Sequence, residues 1–367
     1  MKKIKILTVL GTRPEIIRLS RVISQLDKHC DHILVNTQQN YDFELNKLFF
    51  KDMSLRVPNY YLKNKKKSSV EHISDILVFI EKILLKEKPS AFIILGDTNS
   101  SMSAYVAKRF KIPIFHIEAG NRCFDQRVPE EINRKIIDHI SDINVTYSQV
   151  AKYNLLKENI SQDTIFHLGS PLHEVFEFYK SKISRSNILK KLNLKPEEYY
   201  LVSIHRDENL EIDSNFKKII NFLKFLNKKK KKIIFSVHPR TEKKLDKKKL
   251  YLKNLKFFKP FSYTDYICLQ KNSKVVLSDS GSLTEEASLL GFKSINLRET
   301  NERQEGMSSV VSPMTHFDLD KINSVLDFYE TENKVDFIND YHSPNFSKNF
   351  FKLIVSYINY AKKKYQE

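Results

Sequence analysis

Short apolar runs recur along the chain, and each ends in a polar or glycine-bearing segment. IKILTVL stops at Gly11, AFIIL at Gly96, IPIFHIEA at Gly120, TIFHL at Gly169 and VVLSDS at Gly281. HILVN (32–36), INVTY (143–147), YYLVSIH (199–205), KIIFSVH (232–238) and FKSINLR (292–298) continue the series. Consecutive apolar positions suit strands buried on both faces. Between the runs the period changes: in VEHISDILVFIEKILLKE, from Val70, apolar residues recur three and four positions apart, as on a helix with one buried side. Strands alternating with helices predict an α/β fold with parallel sheets covered by helices.

The alternation breaks between Pro171 and Pro196, where a polar helix and NLKPEEYY precede a second series of strands. This predicts two Rossmann-like doubly wound domains, 1–175 and 176–345, with a terminal helix (346–367) returning to the first. In open α/β sheets ligands sit beyond the carboxyl ends of strands, so a cleft between the two domains is the expected active site.

Composition narrows the function classes. The 367 residues carry a formal charge of +18, which raises the question of nucleic acid. The charge is concentrated in lysine runs (65–67, 228–232, and 243–244 with 247–249) with few aromatics interleaved, so a solvated basic surface is expected and no nucleic-acid partner. Three scattered cysteines, Cys30, Cys123 and Cys268, suggest neither a disulfide framework nor a zinc site, and no metal is expected. The amino-terminal apolar run is short and leads into Gly-Thr-Arg-Pro, so it reads as a strand rather than a signal peptide. No run is long enough to cross a bilayer, and the chain is read as cytoplasmic. Average usage, about 7%, would give roughly 25 glycines. There are seven, so those that remain point to backbone that tolerates no Cβ.

Several of the segments after the strands carry chemistry. GTRPE (11–15) opens a helix with Pro14 and places Arg13, with Arg18 further along, where a phosphate or a simple helix cap would serve equally. GDTNS (96–100) puts Asp97 at a strand end beside a capping Thr98 or Asn99. SIHRDEN (203–209) presents His205 and Arg206, suited to a diphosphate. SDSGSLTEEA (278–287) sets Ser280, Gly281 and Ser282 at a helix start, where amides and hydroxyls can hold phosphate oxygens, with Glu286 one turn on as a candidate for ribose hydroxyls. Arg298 and Arg303 follow a neighbouring strand. The dinucleotide fingerprint G-x-G-x-x-G is absent, so no NAD cofactor is expected. The densest stretch is HIEAGNRCFDQRVPEEINRK (116–135), where Glu118, Asp125, Glu130 and Glu131 meet Arg122, Arg127 and Arg134 around Gly120.

In this order, GTRPE, GDT, EAG, PEE-x-NR, HR-x-EN, DSG and EEA resemble the non-hydrolysing UDP-N-acetylglucosamine 2-epimerase family over nearly the whole chain. The resemblance implies two Rossmann-like domains in the GT-B arrangement, a homodimer and no cofactor. It implies UDP contacts by Arg13, His205, Ser280, Glu286 and Arg303, and a sugar surrounded by Asp97, Glu118 and Glu130 as acid/base candidates, with His205 counted among the catalytic groups. Arg18, Arg122, Arg206, Gly281 and Ser282 complete the expected substrate-binding set. Arg18 replaces the lysine of the family's GTRPE-x-x-K, and Asn-Arg-Cys replaces its Leu-Arg-Thr after EAG. That variant is similar to the branch that makes UDP-N-acetyl-L-fucosamine, for surface polysaccharide, from UDP-2-acetamido-2,6-dideoxy-L-talose. Thr37, Gln38 and Gln39 stand where the family has Gly-Gln-His, so the activator site of some relatives is not carried over.

The resemblance also implies a reaction. The C2 hydrogen of such a sugar is not next to a carbonyl. Inversion therefore needs either oxidation of a neighbouring hydroxyl or expulsion of UDP from C1 as a base removes the C2 proton. The second route requires cations where the diphosphate departs and carboxylates on both faces of C2. Three alternatives remain at this stage: the same chemistry on UDP-N-acetylglucosamine giving UDP-N-acetylmannosamine, a glycosyltransferase on the same fold, and a basic nucleic-acid-binding protein.

Overall fold

The structure is a computed structural model that describes residues 3–38, 49–63, 68–204, 206, 209–210, 212–237, 252–332, 334–363 and 365. It divides into two compact units, Met1–Phe178 with Asp340–Glu367, and Tyr179–Asn339.

Among the described residues the first unit contains seven strands: β1 (Lys5–Leu10), β2 (Asp31–Asn36), β3 (Tyr60–Tyr61), β4 (Ala91–Leu95), β5 (Ile114–Ile117), β6 (Ile143–Thr146) and β7 (Ile165–His167). They form one parallel sheet in the order β3-β2-β1-β4-β5-β6-β7. The chain winds outward from β1 in one direction, then returns to lay β4 on the other side of β1. Loops beyond β1 and β4 therefore diverge and leave room between them, as at a topological switch point. Strand residues such as Leu7, Val9, Phe92, Ile94 and Ile114 are fully or almost fully buried, which is why each run reads as continuously apolar.

Helices α1 (Arg13–His29), α2 (Ser69–Glu87), α3 (Ala104–Arg109), α4 (Pro129–Ile140) and α5 (Gln149–Lys157) belong to this series, and the division between the units falls within α6 (Pro171–Ser184). α1 begins with a capping box between Thr12 and Glu15, and α2 with one between Ser68 and Glu71. Ile76, Ile80, Ile83 and Leu84 of α2 pack into the same apolar cluster as Leu7, Phe92 and Ile94 of the sheet. The last helix of the chain (Phe346–Lys363) packs on this unit as well: Phe350 is fully buried and meets Phe115 of β5 edge to face, with ring centroids 6.3 Å apart.

Among the described residues the second unit has five parallel strands, β8 (Tyr199–Ser203), β9 (Lys232–Ser236), β10 (Leu255–Phe258), β11 (Val275–Ser278) and β12 (Ser294–Asn296), in the order β10-β9-β8-β11-β12. Its reversal lies between β8 and β11. Around the sheet run α7 (Ile188–Lys191), α8 (Asp213–Lys228), α9 (Tyr263–Asn272), α10 (Leu283–Leu290), α11 (Gln304–Ser308) and α12 (Leu319–Thr331); the terminal helix is α13. Phe216, Ile219, Phe222, Leu223 and Leu226 give α8 an apolar stripe against Tyr200, Val202, Ile233 and Phe235.

All ten strands expected from the apolar runs form, and both sheets are parallel. β3 and β10 are additional. β3 is a two-residue pair with β2, too short for a periodic signal, and β10 is the run LKFF with a lysine inside it. Among the described residues no helix is long and apolar enough to cross a membrane, and no group of three potential ligands could hold a metal ion.

Candidate active site

In the first unit the expected residues gather beyond three adjacent strands. β1 leads to Gly11, Thr12 and Arg13; β4 leads to Gly96, Asp97 and Thr98; β5 leads to the turn from Glu118. A carboxylate not singled out in the sequence joins the first two. Glu15 Oε2 accepts hydrogen bonds from the backbone N–H of Gly11 at 2.8 Å and of Thr12 at 2.6 Å, while Oε1 accepts from Thr98 Oγ1 at 2.8 Å. Burial pushes the Glu15 carboxyl above its ordinary value despite these donors. Its only sequence signal is its place in the capping box, which gives no hint that it reaches across to β4. Arg13 is exposed at the start of α1, with its guanidinium 5.0 Å from the ring centroid of Phe49.

The charged stretch after β5 resolves into pairs. Arg127 binds Asp125 locally through Nε and Nη2. Arg134 of α4 donates to Glu131 Oε2 at 2.6 Å and, through Nε and Nη2, to Asp97 Oδ2 at 2.9 and 2.5 Å, which fixes the β4 loop to the helix. Asn133 adds a bond to the Asp97 carbonyl at 2.9 Å. Glu131, almost fully buried, accepts from the N–H groups of Cys123 and Phe124 at 3.1 and 3.0 Å. Burial opposes its charge, but those N–H groups and Arg134 outweigh it and hold the carboxyl below its ordinary value. Burial pushes the Cys123 thiol up, away from thiolate character.

Glu118 is left-handed, with φ +73°, a conformation that costs a non-glycine residue energy and persists only where surrounding contacts impose it. Its side chain is 11% exposed; Oε2 lies 3.5 Å from Arg18 Nε, and Oε1 lies 3.5 Å from Asn121 Nδ2. Arg18, expected at a phosphate, is thus buried beside the acid/base candidate. Glu130 is half-buried in the first turn of α4.

Arg122, expected among the substrate contacts, has a side chain that is 0% exposed, and its guanidinium is held by Asp138 at 2.7 Å, by Glu158 at 2.7 and 2.5 Å, and by the Asn121 carbonyl at 2.7 Å. These bonds tie the turn to Asp138 of α4 and to Glu158 just past α5. These partners carry no local signal, because Asp138 and Glu158 lie 16 and 36 positions away.

In the second unit the expected phosphate loop stands where β11 ends, across the reversal from the end of β8. Ser282 stands at the N-cap position of α10. Ser280 Oγ and Ser282 Oγ lie 3.1 Å apart, and Ser282 Oγ donates to Glu286 Oε1 at 2.7 Å. Glu286 Oε2 accepts from Gln270 Nε2 at 2.6 Å, so the carboxylate expected at ribose here makes protein contacts. Asp279, fully buried and not singled out earlier, binds the loops together: Oδ2 accepts from Arg206 N at 3.1 Å and Asn209 Nδ2 at 2.9 Å, and its carbonyl accepts from Arg206 Nε at 3.2 Å. Arg303 is buried under the loop, with Nε 3.2 Å from the Gly281 carbonyl and Nη2 2.9 Å from Glu285. A Cβ on Gly281 would lie 2.6 Å from Glu302 Oε1, itself paired with Arg298 through Oε2, so the loop is closely packed at its glycine. His205, Gln39 and the lysines of 65–67, 243–244 and 247–249 lie outside the described residues.

Known proteins resemble this chain over most of its length. The sequence model of the UDP-N-acetylglucosamine 2-epimerase family matches residues 24–355. A structure of UDP-N-acetylglucosamine 2-epimerase from Rickettsia bellii is similar with a TM-score of 0.90 and 42% identity, covering 98% of each chain. A structure from Methanocaldococcus jannaschii, UDP-GlcNAc 2-epimerase in complex with UDP-GlcNAc and UDP, gives a TM-score of 0.89 and 32% identity, covering 96% of this chain and 100% of that one. The UDP-N-acetylglucosamine 2-epimerase homolog of Methanococcus maripaludis is 40% identical over 306 residues, 81% of this chain and 85% of that protein. Two Rossmann-like domains of the GT-B-like class are common to the chain and these structures.

The Glu118 turn leaves no room at its glycine. At Gly120, φ is +83°, and a Cβ would stand 2.2 Å from the Ala151 carbonyl oxygen. Gly120→Ala is expected to lower turnover by about 10²-fold or more, because the shift it forces moves Glu118. It should also lower Tm by several degrees in a thermal melt. A variant with the parent's Tm and rate would show that the turn relaxes freely.

Proposed function

This chain belongs to the UDP-N-acetylglucosamine 2-epimerase family, and from that premise we propose that it converts UDP-2-acetamido-2,6-dideoxy-β-L-talose to UDP-N-acetyl-β-L-fucosamine by elimination and re-addition of UDP. Family membership makes it an isomerase acting at C2 of a UDP-linked sugar.

The observation that carries the mechanism is the Glu118 turn. A carboxylate in a left-handed backbone conformation, mostly shielded from water and 3.5 Å from a guanidinium, is suited to proton transfer at a fixed place. In the proposed reaction the C1–O bond to UDP breaks as one carboxylate takes the C2 proton, leaving a glycal and free UDP. A second carboxylate protonates C2 on the opposite face, and UDP returns to C1. Glu118 and Glu130 are assigned to these transfers, with Asp97, fixed by Arg134, beside the sugar. Negative charge grows on the departing diphosphate. Arg13 in the first unit, and Arg206, Arg303, His205 and the Ser280–Ser282 loop in the second, are assigned to it, with Glu286 at the ribose.

The choice of sugar rests on the two variant positions after Gly120. Asn121 stands beside Glu118, and Cys123 Sγ lies 3.2 Å from Glu131 Oε2, so both substitutions that mark the fucosamine branch touch the acidic cluster. The second reading, UDP-N-acetylglucosamine to UDP-N-acetylmannosamine, is favoured by the Methanocaldococcus relative's complex with UDP-GlcNAc.

Incubation with each UDP-sugar in heavy water, followed by NMR, separates the two. Inverted C2 carrying deuterium is expected from the L-talo compound; conversion of the D-gluco compound alone would establish the second reading. Glu118→Gln and Glu130→Gln are each expected to lose about 10²–10⁴ in rate while UDP still binds in calorimetry. Near-normal turnover in either variant would remove that residue from the assignment.

A further inference from the structure

Beneath the Glu118 turn lies a buried set of charged side chains that the proposed proton transfers do not use. Asp138, near the end of α4, is 0% exposed. Its Oδ2 accepts from Gly120 N at 3.2 Å and Arg122 Nη1 at 2.7 Å, and its Oδ1 stands 2.9 Å from His116 Nδ1. The other ring nitrogen of His116, also fully buried, lies 3.0 Å from the carbonyl oxygen of Gly96, one residue before Asp97. One carboxylate thus grips the chain two residues before Glu118, through His116, and two and four residues after it. Through the same imidazole it reaches the loop of Asp97. At the other end, Arg122 continues to Glu158, whose side chain is 24% exposed.

Stability alone does not account for this arrangement. Ionised groups removed from water lose hydration, and a buried ion network is often no more stable than apolar side chains of the same volume. What apolar packing could not do is fix the backbone on both sides of a non-glycine residue at φ +73°, which otherwise relaxes toward the ordinary region.

We propose that Asp138 is a positioning residue for C2 inversion: acting through Gly120, Arg122 and His116, it holds Glu118 in its left-handed turn and in register with Asp97. It touches neither the substrate nor the reacting atoms. The inference rests on the epimerase reading of the same site.

The test compares Asp138→Ala, Asp138→Asn and Glu158→Gln in the full chain, using the deuterium assay for turnover and calorimetry for UDP. Asp138→Ala is expected to lower kcat about 10²-fold, the order of loss from displacing a reacting group by about 1 Å. KM and the UDP Kd should stay within about threefold, because the loss falls on the transition state alone. Asp138→Asn keeps an acceptor for Gly120 N–H and Arg122 and should recover kcat to within about tenfold of the parent. Glu158→Gln loosens Arg122 from the accessible end and should lower kcat about threefold to tenfold with the same KM; it carries the test if Asp138→Ala does not fold. Unchanged kcat in the folded variants, or loss of kcat and UDP affinity in parallel, would overturn the positioning role. No C2 deuterium from the parent chain with either UDP-sugar would remove the epimerase reading, and this inference with it.

Discussion

Buried carboxylates turned back onto the backbone hold the loops that this fold leaves open at its strand ends. Glu15 accepts from the N–H groups of Gly11 and Thr12, Glu131 from Cys123 and Phe124, Asp138 from Gly120, and Asp279 from Arg206. A parallel strand that ends at the sheet rim leaves its following residues without ladder partners, and buried N–H groups must find acceptors elsewhere. An ionised acceptor gives the stronger bond, provided its own charge is met. Arg134 meets the charge of Glu131 and Arg122 that of Asp138, while Asn209 donates to Asp279 and Thr98 to Glu15, whose carboxyl burial still holds above its ordinary value.

That constraint has a chemical consequence. The proposed reaction, which breaks a glycosidic bond to a diphosphate while removing an unactivated proton, requires charges that are in place beforehand, since moving them during it would add to the barrier. Loops pinned by ion pairs supply such groups with little reorganisation. They also sustain strain: Glu118 and Phe124 are both left-handed non-glycine residues within the pinned stretch. Gly120 marks where pinning brings two backbones too close for a Cβ, against Ala151.

The fold was legible in the sequence to the extent that burial leaves a continuous apolar mark. Strands such as Ala91–Leu95, buried at every position, are unmistakable, whereas Tyr60–Tyr61 and Leu255–Phe258 are short and only partly buried. The site was legible where local chain geometry decides it: a helix beginning at Arg13, Thr98 at the N-cap position of the next turn, and Ser282 at that of α10. It was not legible where the direction of a long side chain is set by distant partners. Arg122 and Arg134 look alike in the sequence, yet one is spent on Asp138 and Glu158 inside the unit and the other spans Glu131 and Asp97. His116 and Asp138 read as a strand residue and a helix residue, and only the pairing of β5 with β4 and α4 brings them to the Gly96 carbonyl.

The proposed reaction separates the sugar from its nucleotide in every cycle. The direct measurement uses a UDP-sugar carrying oxygen-18 in the bridge between C1 and the β-phosphorus, followed by phosphorus NMR during inversion of C2. Elimination frees that oxygen to become equivalent to the other terminal oxygens of UDP, so the label should leave the bridge at a rate comparable to epimerisation. Complete inversion at C2 with the label still in the bridge would contradict the account.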